Sequence, residues 1–187
     1  MPYCALGLTQ ARTASETAAH EQGRWIMKPV APIVLAMALA GCQTTAMHDV
    51  YSPGYSIPPD SQLILKREIA IPAGQRHVKL QHGRVVPGVD EYKVNCELRV
   101  YHLGADPIRP DRFSITRSGT GREWHSQPYV MRFYRVLSLR SEAQPDVLKL
   151  ICQRWDDPLA GRNVSIPEMQ QALGDYVGFD FPNTPSQ

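Results

Sequence analysis

Tyr92-Lys93-Val94-Asn95-Cys96-Glu97-Leu98-Arg99-Val100 alternates apolar and polar side chains at every step. Successive strand residues point to opposite faces of a sheet, so this period of two predicts a strand with Tyr92, Val94, Cys96, Leu98 and Val100 on one buried side. Upstream, the alternation recurs at Val78 and Leu80, and over residues 63–71, where Leu63, Leu65, Arg67, Ile69 and Ile71 share a face. Pro72-Ala73-Gly74 turns the chain between these two strands. Gly83 with Pro87-Gly88 marks the next reversal, and a hairpin is expected there.

Downstream, Phe113 and Ile115 begin a strand bounded by Ser118-Gly119-Thr120-Gly121, which reads as a hairpin tip. Residues 129–141 carry a longer pattern, with Met131, Phe133, Leu137 and Leu139 on one face; Arg135 interrupts that face and points to a bulge or an edge. Over residues 147–155, Leu148, Leu150 and Cys152 fall on the inward parity. Ser165-Ile166-Pro167-Glu168 is a capping box with proline in the first turn, predicting a helix over 166–173 that turns Ile166, Met169, Ala172 and Leu173 to the sheet and closes at Gly174. Val177, Phe179 and Phe181 form a last short strand. Six or so short alternating segments between turn signals predict a mainly β fold: a small antiparallel β-sandwich or barrel-like domain with one short C-terminal helix.

Ahead of this domain lies MKPVAPIVLAMALAGC, residues 27–42. Lys28 precedes an apolar run of 11 residues, Val30 to Ala40, too short to span a membrane and followed at once by polar Gln43, Thr44 and Thr45. Its end, Leu39-Ala40-Gly41-Cys42, resembles the lipobox of bacterial lipoproteins. That resemblance implies a signal peptide over 27–41, fatty acylation of Cys42 and an envelope location; Gln43 in second place implies the outer membrane, facing the periplasm. Residues 1–26 have no sustained periodicity and are expected to be an upstream extension, with Met27 as the true initiator. The proline-rich stretch within 42–61 reads as a flexible tether carrying Tyr51 and Tyr55 in solvent, and 62–187 as one β-rich periplasmic domain.

With Cys4 in the leader and Cys42 lipidated, Cys96 and Cys152 remain; in an oxidising compartment, and both facing inward, they are expected to form a cross-core disulfide. The succession of Ile69-Ala70-Ile71-Pro72-Ala73-Gly74, Glu91-Tyr92 with Cys96, Pro110-Asp111 with Phe113, and Cys152 with Trp155 and Asp157-Pro158 is similar to small uncharacterised proteobacterial lipoproteins. This second resemblance implies a shared domain and no activity.

Three of the 20 basic and two of the 18 acidic residues precede Cys42, so the 146 residues from Cys42 onward carry 17 against 16. A nucleic-acid partner calls for a concentrated basic face, which so even a balance argues against. Arginine outnumbers lysine 13 to 4 there, but the arginines are scattered.

The search for chemistry is short. His48, His77, His82, His102 and His125 form no ligand pair at helical spacing, and His77 and His82 with Asp90 and Glu91 are better read as surface groups than as a metal site. Ser118-Gly119-Thr120-Gly121 lacks the Gly-Lys-Ser/Thr ending of a phosphate loop, and adjacent Asp156 and Asp157 before Pro158 read as a turn. No catalytic residue, metal or cofactor is assigned. The densest unusual patch is Trp124, His125, Tyr129, Arg132 and Tyr134, with Phe133, Arg122 and Arg135 interleaved: core if buried, a binding patch if exposed. The expected function is a lipid-anchored structural or interaction module that meets membrane lipid through Cys42 and an envelope protein or polymer through its domain. A periplasmic ligand-binding or inhibitory domain is the alternative, and an envelope hydrolase comes third.

Overall fold

The structure, a computed structural model, describes residues 49–104, 106–126 and 129–182. The expected extension 1–26, signal peptide 27–41 and lipidated Cys42 lie outside the described residues. Eight strands follow one another: β1 (Gln62–Leu65), β2 (His77–Gln81), β3 (Arg84–Val86), β4 (Asn95–Val100), β5 (Asp111–His125), β6 (Val130–Arg140), β7 (Val147–Asp156) and, after the helix α1 (Ile166–Leu173) and a 3-10 turn, β8 (Val177–Asp180). They form one antiparallel sheet in the order β3-β2-β4-β7-β6-β5-β1-β8, curled into a half-barrel. The fold is therefore mainly β and barrel-like with one short C-terminal helix; there is one sheet, where a sandwich would have two.

The concave face is the core. Leu63, Val78, Leu80, Leu98, Phe113, Leu137 and Leu150 line it, and α1 packs Ile166, Met169, Ala172 and Leu173 into it against β2, β4 and β8, across the open side of the half-barrel. The helix begins where the capping box places it: the Glu168 carboxylate accepts hydrogen bonds from the Ser165 backbone N–H (2.8 Å) and hydroxyl (2.7 Å). It ends at Gly174, whose positive φ of 56° seats it against Gly83, where a Cβ would meet backbone at 2.5 Å. Gly83, with His82 also at positive φ, makes the two-residue turn of the β2–β3 hairpin.

Several expected boundaries move, each for a local reason. The first strand stops at Leu65 rather than running to Ile71, because its partner β5 begins at Asp111 directly after Pro110, which has no N–H to continue the ladder; Ile69 returns only as a single bridge to Ile108. Tyr92 and Val94 precede β4, since Asp90 accepts the backbone N–H groups of Tyr92 and Lys93 in a turn, and Tyr92 is exposed. Leu148 faces outward and Val147 takes the inward place, because the β4–β7 register shifts between Arg99 and Val100. Ser118-Gly119-Thr120-Gly121 is not a hairpin tip but the middle of the 15-residue β5, whose turn to β6 comes after His125. Gly121 belongs there because the Tyr134 ring of β6 lies where its Cβ would be, at 2.5 Å. Phe181 falls just past β8 and packs edge-on against Tyr55 at 5.6 Å.

Arg135 is neither at a bulge nor on an edge. It sits in the central strand β6, in unbroken register with Thr120 of β5 and Cys152 of β7, and is 2% exposed. Its guanidinium spends its donors on three backbone carbonyls: Nε to Val164 (3.0 Å), Nη1 to Tyr55 (2.9 Å) and Nη2 to Pro53 (3.0 Å). Burial pushes its pKa below the ordinary arginine value, yet a guanidinium stays protonated in proteins, so the charge is held by carbonyl dipoles. The segment expected to be a flexible tether is consequently part of the domain from Asp49 onward. Asp49 caps a turn through Tyr51 and Ser52, Tyr55 and Ile57 are buried, and of the two tyrosines only Tyr51 stays in solvent.

Beside Arg135 on the same cross-strand row, Cys152 faces Cys96 of β4, and the two form a disulfide with Cα atoms 4.0 Å apart. The bridge joins neighbouring strands, rather than crossing the core. It closes a loop of 56 residues, which by loop-closure entropy stabilises the fold by about 4 kcal/mol.

Two stability measurements follow. Arg135→Met leaves three carbonyls without donors, so urea unfolding should show a loss of about 4 kcal/mol, with Arg135→Lys in between because an ammonium cannot reproduce the planar fork. A loss under about 1 kcal/mol for the methionine variant would contradict the role given to these bonds. Replacing both Cys96 and Cys152 by alanine should remove stability of the order stated for the bridge; a melting temperature indifferent to reductant would rule that out.

Candidate functional site

The β5–β6 pairing decides where each aromatic residue of the patch goes. Trp124 lies opposite Met131, while its neighbour His125 lies opposite Val130 and must point to the other face; Glu123 opposes Arg132, and Gly121 opposes Tyr134. The five patch residues are therefore not brought together. Trp124 and Tyr129 meet edge-on at 4.5 Å at the hairpin tip, both exposed. His125, Arg132 and Tyr134 lie on the convex face, and among the interleaved residues only Phe133 and Arg135 are buried.

On that convex face the structure assembles a ridge. The Arg132 guanidinium lies 4.9 Å from the centre of the Tyr134 ring, donates to Glu123 Oε2 at 2.8 Å and bonds Gln153. Gln153 in turn donates to Glu91 at 3.1 Å. Trp155, opposite Arg132 on β7, packs against His125 at 5.1 Å and meets the edge of Tyr92 at 5.8 Å. The Nε2 of His125 is buried with no hydrogen-bond partner among the described residues. Trp155, Tyr92, Gln153 and Glu91 were absent from the sequence reading of the patch. For Trp155 the signal was there: its parity in β7 is opposite to that of Cys152.

The other candidates are absorbed by structure. Asp157 accepts the backbone N–H groups of Leu159 (2.8 Å) and Ala160 (3.0 Å) and makes a turn, and Asp156 pairs with Arg154 at 3.3 Å. His77 lies 4.0 Å from Glu97, His82 occupies the hairpin turn, and Asp90 and Glu91 are engaged in the contacts above. Among the described residues no three His, Cys, Asp or Glu side chains converge to hold a metal ion.

Two of the clefts among the described residues lie beside the groups named so far. One of about 650 Å³ opens at the end opposite the hairpin tip, between residues 102–104 and 106–111 on one side and 143–147 on the other, with His102 and Asp146 paired at 3.0 Å on its wall. Its floor is knit by Gln144, which bonds the backbone of Arg109 in both directions and the Asp111 carboxylate. Burial acts to raise the Asp111 pKa, but Ser141, Gln144 and the Arg112 N–H outweigh it and hold the carboxyl below its ordinary value. The second, of about 540 Å³, separates Tyr92 and Trp155 from α1 and contains His82, Arg154, Asp156 and Glu168. Burial likewise acts to raise Glu168, and the Ser165 N–H and hydroxyl with Arg154 and Arg162 overcome it, so this carboxyl too titrates low.

A carboxylate whose folded pKa is depressed stabilises above its unfolded pKa, and that stability is lost as pH falls through the folded value. Glu168→Gln should thus lower stability at neutral pH and, below about pH 4.5, make unfolding less dependent on pH than in wild type. Urea titrations at several pH values would decide it, and parallel pH profiles for the two proteins would be the contrary result.

Comparison of the chain with protein-family models, with curated proteins and with solved structures gives no match.

Proposed function

We propose that this protein is a lipid-anchored interaction module of the bacterial envelope, held in the outer membrane through Cys42 and receiving an envelope protein or polymer on its convex ridge. The lipobox resemblance of Leu39-Ala40-Gly41-Cys42 carries the anchor. The observation that carries the binding role is the ridge itself. Tyr92, Trp155, His125, Arg132 and Tyr134 stand together on a face that the core does not use, bracketed by Glu91 and Glu123. Arginine and large aromatic side chains supply most of the energy at protein interfaces, and a guanidinium already seated beside a ring loses little freedom when a partner covers it. No catalytic role is assigned to any residue.

The 650 Å³ cleft at the other end favours the second reading, a ligand-binding or inhibitory domain, because a cavity of that size suits a small molecule or a peptide end.

The test is photo-crosslinking in cells from position 134, compared between the wild-type background and Arg132→Ala. Arg132 bonds only the ridge side chains Glu123 and Gln153 and lies over the Tyr134 ring, contacts each worth about 1 kcal/mol or less, so the variant should stay folded at growth temperature. Loss of a crosslinked partner by about tenfold or more, equivalent to about 1.4 kcal/mol, is the expected result. An undiminished crosslink would remove the ridge from consideration, and Cys42→Ser protein that is still processed and still takes up fatty acid would remove the anchor.

A further inference from the structure

Where the chain enters the domain sets which end can face the lipid. Asp49 is already held in a turn, its carboxylate accepting the Tyr51 N–H at 2.9 Å and its carbonyl accepting the Ser52 N–H at 2.9 Å. Four residues on, Pro53 is fastened to Arg135. Six residues separate Asp49 from Cys42, and the seven Cα steps between them reach at most about 25 Å when fully extended. β5 alone, with 15 residues, is about 50 Å long. If Cys42 carries lipid, the end of the domain that holds residues 49–54 lies against the bilayer and the opposite end is lifted away from it.

That entry end is the hairpin end. Pro53 and Gly54 share a shallow cleft with Gly121, Arg122, Phe133 and Gly161, and Gly121, Arg122 and Phe133 lie three to four positions along β5 and β6 from the last hairpin pair, His125 and Val130. The loop after β7 starts beside it too, since Asp156 is paired with Met131, which is paired with Trp124. Four large apolar or aromatic side chains are exposed here: Tyr51 at 61%, Trp124 at 45%, Tyr129 at 72% and Leu159 at 98%. They are held in place. Trp124 and Tyr129 brace each other edge-on, and the three backbone bonds from residues 159–161 to Asp157 fix the turn that carries Leu159.

We propose that this end of the half-barrel rests in the interfacial layer of the same bilayer that holds Cys42, with Trp124, Tyr129, Leu159 and Tyr51 inserted among the lipid headgroups. The inference builds on the lipid-anchor reading and adds an orientation to it. Tryptophan and tyrosine favour that layer because an apolar ring and a polar edge are both satisfied there. The convex ridge then faces sideways into the periplasm, and the 650 Å³ cleft, with exposed Tyr101 and Leu103 near it, faces away from the membrane.

The test uses the mature, acylated protein reconstituted into phosphatidylcholine vesicles whose acyl chains carry bromine, which quenches tryptophan only at close range. From Cys42 onward the chain has two tryptophans, Trp124 and Trp155. Flotation with the vesicles reports the anchor, and quenching reports the orientation. The expected result is flotation with blue-shifted, several-fold quenched emission, and loss of that quenching in Trp124→Phe, which still floats. A second variant, Leu103→Trp in the Trp124→Phe background, should stay unquenched at the far end. Protein that floats with unquenched Trp124, or whose quenching survives Trp124→Phe, overturns the orientation while leaving the anchor intact. Protein that does not float overturns the anchor, and the membrane-facing end with it.

Discussion

One guanidinium in the middle of an apolar sheet organises this fold. Arg135 stands where β6 is most enclosed, and a cation there is tolerable only because three carbonyl oxygens from two distant segments converge on it. Those carbonyls belong to residues 53 and 55, before the first strand, and to residue 164, just before the helix. A buried charge that would otherwise be ruinous thus becomes a clamp. The chain entering the domain and the chain leaving β7 are both drawn onto the concave face, and the core closes over them with Tyr55, Ile57, Val164 and Met169. The Cys96–Cys152 bridge lies on the same row, so the rigid centre of the sheet and the fastening of its two loose segments are one structure.

This clamp has a consequence for what the outside of the domain can do. On the proposed anchor at Cys42, a long loose tether would let the domain present every face equally, whereas fastening at Pro53, 11 positions after Cys42, would not. The hairpin end and the ridge then have different neighbours, although their residues adjoin in sequence. Trp124 and His125 are adjacent in sequence, yet the proposed lipid and partner roles can be divided between them because a strand sends consecutive side chains to opposite faces.

Much of the fold was legible. Alternation located β2, β6 and β7, and the Ser165–Glu168 capping box located α1 to the residue, because these signals are local. What escaped depended on distant partners. Nothing near Arg135 in sequence offers it an acceptor; its bonds span 29, 80 and 82 residues, so it looked like a flaw in a strand. The prolines of the entering segment looked like a linker, yet a proline keeps its carbonyl, and that of Pro53 is one of the three that matter. Gly121 looked like part of a turn because the Tyr134 ring that takes its vacant Cβ space sits on another strand. The aromatic patch was found by density along the chain. Its division between two faces was implicit in the strand period, but the ridge needed Trp155, which only the β6–β7 register brings beside Arg132.

The central claim is that the entering segment is a fastened part of the domain, and amide hydrogen exchange across residues 50–58 tests it most directly. The Tyr55 N–H, bonded to the Ser52 carbonyl at 3.1 Å beneath the Arg135 clamp, should exchange as slowly as the amides of β6 and β7. Complete exchange of that segment at the earliest time point, with the sheet still protected, would show it to be loose and would contradict the account.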